Sequence, residues 1–167
     1  MQSLIRLIRR AEVLPVLLAS VALFVLMVMT FADVVLRSAF NAPIEAATEL
    51  TRILMAIIVF SVLPIVSARN DHIAVDLTDP VFRRLGIARL RDGLVQIVCG
   101  GLLYWPVERV LVLAGRWRDY GDVTEYLAIP EFYVGYFIAA LAGLSGLLMV
   151  ISGLLTLFAP RVLKEAK

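Results

Sequence analysis

Twenty consecutive residues between Glu12 and Asp33 carry no charge, and three more long uncharged runs follow, at 53–68, from 93 onward and at 132–160. One helical crossing of a hydrocarbon core about 30 Å thick takes about 20 apolar residues. Four crossings then occupy about 80 residues, which fits this chain of 167 with short connections. Composition agrees: 61% of residues are hydrophobic and 18% charged, where a soluble domain has about half and about a quarter. The predicted fold class is an all-α integral membrane protein, a single domain over 1–167 with four transmembrane helices.

The spans are expected at about 13–36, 46–68, 93–115 and 131–158. The first opens at Pro15, whose missing N–H suits a first helical turn. Arg6, Arg9 and Arg10 precede it like a signal-peptide n-region, but the apolar run exceeds the roughly 7 to 15 residues of a cleavable core, so we read an uncleaved anchor. The uncharged part of the second is short, which places its start in the polar segment after Pro43, and Pro64 is expected to kink it. The third carries Glu108 and Arg109 in its outer third, Glu108 about 22 Å along at 1.5 Å per residue. The fourth follows Pro130 and opens with Phe132, Tyr133, Tyr136 and Phe137, like an interfacial aromatic belt.

Orientation follows the lysines and arginines. The N-terminal tail, the loop 69–92 and the C-terminal tail hold eleven; the loops after the first and third spans hold four. Both termini are therefore expected in the cytoplasm. The third loop, with Asp119, Asp122, Glu125 and Glu131 against two arginines, makes the outer face acidic.

Several function classes drop out. The only cysteine is Cys99 and the only histidine His72, too few for a thiol-based oxidase or a histidine-ligated haem. The only lysines are Lys164 and Lys167, so a phosphate-binding loop is excluded. Neither H-E-x-x-H nor G-x-S-x-G occurs. No enzyme activity, cofactor or metal is expected.

Asp33 and Arg37 stand at i, i+4 near the outer end of the first span, as a structural pair, a partner contact or a coupling site. Glu108 and Arg109, about 100° apart on their helix, suggest contact with another protein, with a proton relay the sharper alternative. From Asn41, the segment to Arg52 carries a polar stripe of Glu45, Thr48, Glu49 and Arg52, and either lies on the outer surface or extends the second span. This stripe is a solvated face or a docking surface. Beyond Arg69, His72 and Asp76 are spaced for local capping; two ligands do not make a metal site. A short amphipathic surface helix from Asp79 and Pro80, bearing Arg83, Arg84, Arg89 and Arg91, suits anionic lipid headgroups rather than nucleic acid. Gly135, Ala139, Ala142, Gly146 and Gly153 form a small-residue seam, for packing within the bundle or against a larger membrane protein.

Taken in order, Arg37, Phe40, Asn41, Pro43, Ile44, Glu49 and Leu50, then Ala68, Arg69, His72, Ile73, Val75 and Asp76, then Leu127, Ile129 and Pro130, resemble the small membrane subunit of tripartite ATP-independent periplasmic (TRAP) transporters, the DctQ type. The resemblance covers nearly the whole chain. Asp33 departs from it, standing where a polar uncharged residue is expected. The resemblance implies a non-catalytic scaffold in the bacterial inner membrane. Its implied partners are a large DctM-type subunit that carries the substrate and sodium sites and a DctP-type periplasmic binding protein that delivers an organic acid. The competing readings are a small proton-coupled carrier acting alone as an oligomer through Asp33 or Glu108, and a membrane enzyme.

Overall fold

The computed structural model describes residues 2–69 and 88–158, with side chains from 13–67 and 90–158. Among the described residues five helices follow one another: α1 Gln2–Phe40, α2 Ala47–Arg69, α3 Ala88–Leu102, α4 Tyr104–Tyr120 and α5 Glu131–Phe158. They supply four stretches long and apolar enough to cross a membrane, Val13–Phe40, Ala47–Ser67, Leu90–Tyr120 and Glu131–Phe158. The chain is all-α among the described residues, apart from one isolated bridge between Val123 and Pro130.

Pro15 lies inside α1 instead of opening it. Residues 4–14 are mostly Leu, Arg, Ala, Glu and Ile, largely strong helix formers, and the helix continues back through them at the loss of one backbone hydrogen bond. The segment after Pro43 extends the second span: α2 begins at Ala47, whose N–H donates to the Ile44 carbonyl at 3.0 Å. Pro64 lies within α2, which stays helical to Arg69. The third span is broken at Leu103 into α3 and α4. Pro106 explains the break, since it donates no hydrogen bond and its ring crowds the Leu102 carbonyl four residues back. The bonds on either side survive, Leu103 N–H to Cys99 O at 3.3 Å and Val107 N–H to Leu103 O at 3.2 Å.

The helices fall into two contact units, Met1–Val62 with Glu108–Ala140 and Leu63–Val107 with Leu141–Lys167. In the first, Ala19, Ala22, Leu54, Ala114 and Ala139 are buried, nearly all of them small. There α4 and α5 meet closely: a Cβ built on Gly135 would stand 2.8 Å from the Ala114 Cβ and 3.1 Å from the Trp117 ring.

In the second unit α3 and α5 run antiparallel with glycine facing glycine. A Cβ on Gly100 would stand 2.7 Å from the Gly146 carbonyl oxygen, and one on Gly153 2.8 Å from the Gly93 carbonyl oxygen. Each pair member sits seven residues from the next on its own helix, two turns along the same face. Bilayers offer no hydrophobic drive between helices, so close backbone packing of this kind is what holds them. Large side chains such as Leu17, Phe24, Phe31 and Leu147 point outward, as lipid contact requires.

Candidate functional site

Three chain reversals of the first unit build the site. At the end of α1, Asn41 takes the left-handed conformation (φ 51°), one that asparagine tolerates better than most residues. The Ala42 N–H closes back on the Leu36 carbonyl at 3.3 Å. Asp33 then ties the turn down: its Oδ1 accepts the Ile44 N–H at 2.8 Å and its Oδ2 accepts from Arg37 at 2.9 Å. The Asp33 side chain is 13% exposed and that of Arg37 66%, so the inner oxygen holds backbone and the outer one a solvent-facing cation.

At the end of α4, Gly121 adopts φ 69° and forms a Schellman cap. Its own N–H donates to Arg118 O at 3.3 Å and the Asp122 N–H to Trp117 O at 2.9 Å. The chain then folds into a miniature hairpin before α5. Glu131 N–H bonds Asp122 O at 3.2 Å, and Thr124 N–H bonds Ile129 O at 3.0 Å. The Thr124 hydroxyl accepts the Ile129 N–H at 3.1 Å. Ala128, at φ 50°, turns the tip and donates to Thr124 O at 3.2 Å.

Closing this hairpin leaves two adjacent amides, those of Tyr126 and Leu127, to be satisfied from elsewhere. Glu49, in the first turn of α2, does so: Oε1 accepts the Tyr126 N–H at 2.9 Å and Oε2 the Leu127 N–H at 3.1 Å. A carboxylate with two oxygens matches two successive amides, and charged acceptors make the stronger class of hydrogen bond.

Beside this clasp lies a cleft of about 810 Å³ between the start of α2, the hairpin and the start of α5. Among the described residues, five carboxylates line it, those of Glu45, Glu49, Asp122, Glu125 and Glu131, against the one guanidinium of Arg52. Its floor is apolar, with Ile53, Trp117 and Ile138. Glu49 already serves the hairpin, whereas Glu45, Asp122 and Glu125 are exposed. Among the described residues, no cluster of three or more His, Cys, Asp or Glu side chains is arranged to hold a metal.

A family model for the DctQ component of tripartite ATP-independent periplasmic transporters matches residues 26–159. The chain belongs to the DctQ family. No match was found among curated proteins or among solved structures. A DctQ-family chain is a small membrane subunit of a TRAP transporter and works with the transporter's other proteins.

On this DctQ-family chain the structure joins Asp33 to Arg37 and places Glu45, Glu49 and Arg52 around one cleft. Glu108 and Arg109 are exposed on α4. Gly135 meets α4, Gly146 meets Gly100 and Leu103, and Ala139 and Ala142 are buried. Arg69 closes α2, but its side chain, like His72, Asp76 and the part of the amphipathic segment at 79–87 with Arg83 and Arg84, lies outside the described residues; Arg89 and Arg91 fall in the first turn of α3, where Arg91 pairs with Asp92 at 2.8 Å. Sequence reasoning counted Asp122, Glu125 and Glu131 only as loop charge and singled out neither Gly121 nor Gly100. Glycine directly after a helix-ending Arg-Trp-Arg-Asp-Tyr run was the available signal for the cap.

Proposed function

We propose that this subunit is the fixed scaffold of a sodium-driven TRAP transporter for organic acids in the bacterial inner membrane, bracing a larger DctM-type subunit. Its clasped hairpin and acidic cleft form part of the surface where a DctP-type periplasmic binding protein docks. The observation carrying this reading is the clasp: Glu49 fixes a hairpin whose neighbouring carboxylates, Glu45, Asp122 and Glu125, stay exposed. A rigid surface on which one sign of charge predominates steers and orients a partner of opposite charge. The eleven-to-four distribution of lysine and arginine supports placing this end in the periplasm and both chain termini in the cytoplasm.

Reversing charge at Glu45 and Glu125 tests the docking role, because neither carboxylate makes the clasp. In liposomes holding the assembled transporter, Glu45→Lys with Glu125→Lys should weaken capture of the binding protein roughly tenfold at low ionic strength, and less as salt rises. Unchanged affinity at low salt would remove the docking role. The scaffold role predicts no uptake by this chain alone in liposomes, and uptake without the large subunit would overturn it.

A further inference from the structure

The hairpin tip gathers more donors around Glu49 than the two short bonds of the clasp. Besides the Tyr126 N–H at 2.9 Å and the Leu127 N–H at 3.1 Å, the Glu125 N–H and the Thr124 hydroxyl contribute hydrogen bonds to the same carboxylate. Consecutive residues, 124 to 127, thus all donate to one group. Successive backbone N–H groups turned toward one point make an anion-binding concavity.

The hairpin shapes this concavity with bonds of its own. The Thr124 hydroxyl is held by accepting the Ile129 N–H at 3.1 Å, and the Ala128 N–H closes on Thr124 O at 3.2 Å. Ala128, at φ 50°, brings the chain round between them. None of these bonds involves Glu49, which arrives from α2, 77 residues before Tyr126. It meets the loop as a ligand does, from outside.

Geometry and charge define what such a cradle accepts. Oε1 and Oε2 each take a separate amide, a match for a planar carboxylate and not for a spherical halide. Glu45, Asp122, Glu125 and Glu131 line the adjoining cleft against the one guanidinium of Arg52 among the described residues. The amides can stabilise one negative charge there, while a second charge on the same ligand meets repulsion.

We propose that residues 124–127 form a binding cradle for a monocarboxylate of side-chain size, and that Glu49 is its tethered occupant, keeping it closed to other carboxylates. The proposal is independent of the docking role. Because α2 already holds Glu49 in place, it loses little freedom on binding, and a free acid competes with it poorly.

The test empties the cradle and refills it. Glu49→Ala removes one methylene and the carboxylate, a gap the size of acetate. In the full chain in detergent with chloride as the anion, amide exchange at Tyr126 and Leu127 should speed up at least about fivefold over the wild type. Replacing chloride with about 100 mM acetate at constant ionic strength should slow it again at least about threefold, as a ligand of the closed hairpin does. Equal exchange in the two anions overturns the cradle. Exchange in Glu49→Ala no faster than in the wild type overturns Glu49 as its occupant. Should Glu49→Ala unfold in chloride, helix content becomes the readout, and no gain in acetate overturns the proposal equally. In the wild type, acetate should leave the amide chemical shifts of Tyr126 and Leu127 unchanged; a saturable shift there contradicts a site closed by its own chain.

Discussion

Around the helix ends of the first contact unit, carboxylates reach across to backbone amides: Asp33 to Ile44, and Glu49 to Tyr126 and Leu127. In the second, the backbones of α3 and α5 touch directly, Gly100 against Gly146 and Gly93 against Gly153. The contrast reflects what each setting leaves unsatisfied. Turns between helices expose amides that no ladder completes, and a carboxylate can complete them. Inside a helix every amide is already bonded, so two helices gain most by approaching until dispersion and weak Cα–H···O contacts add up. The division is one of degree, since Gly135 of the first unit also meets Ala114 closely.

The sharpest way to break this comparison is a side chain at Gly100. Its Cβ would meet the Gly146 carbonyl oxygen, Val150 Cγ2 at 2.8 Å and the Val150 backbone nitrogen at 3.0 Å, and two of these three are backbone atoms that cannot swing aside. Gly100→Leu should destabilise the folded chain by about 3 kcal/mol or more, as overpacking does, read as a lowered melting temperature in detergent. Gly101 is the built-in control, because a Cβ there meets nothing within 4 Å. Gly101→Ala should raise stability by up to about 1 kcal/mol through helix propensity alone. Equal losses at both positions would mean that the glycines act through backbone flexibility and not through contact.

Next in size is Glu49→Gln. The amide keeps one oxygen for Tyr126 or Leu127 but turns its NH2 toward the other backbone donor, leaving donor against donor. The hairpin should open locally while the helices persist. Amide hydrogen exchange at Tyr126 and Leu127 should speed up severalfold with little change at Gly100 or Gly146. If exchange quickened throughout the chain, the clasp would be part of the global fold and not a local fastening.

The spans were legible because an uncharged run is a property of consecutive residues and needs no knowledge of neighbours. The Asp33–Arg37 pair was legible for the same reason, i, i+4 being fixed by the helix. Glu49 was not, although its residue type and position were singled out. Its partners lie 77 and 78 residues away, and nothing local distinguishes a carboxylate facing water from one aimed at a distant loop. The packing seam was half legible. Small residues on α5 stood out among leucines, but their partners Gly93 and Gly100 recur at seven residues on α3, in a span that Pro106 interrupts, where no continuous small-residue stripe draws attention. The break at Leu103 was written in the sequence as Pro106 and passed unremarked, because the apolar run continues across it.

The smallest expected effect belongs to Asp33, and it refines the carboxylate side of the comparison. Asp33 uses its two oxygens differently: one holds the Ile44 amide in a largely buried position, the other meets an Arg37 that is mostly in solvent. Exposed ion pairs contribute between nothing and about 1 kcal/mol, whereas an amide left without an acceptor costs about 1 to 3 kcal/mol. Asp33→Asn keeps the carbonyl oxygen for Ile44 and gives up only the charge, so it should shift stability by less than about 1 kcal/mol. Asp33→Ala removes the acceptor as well and should cost more, read as faster exchange at Ile44 and a lower melting temperature. Uptake by the assembled transporter should survive Asp33→Asn nearly intact. An uptake loss with an unchanged melting temperature would instead give the charge of this carboxylate a part in transport, and it would then have to be counted apart from Glu49 as more than a fastening of the chain to itself.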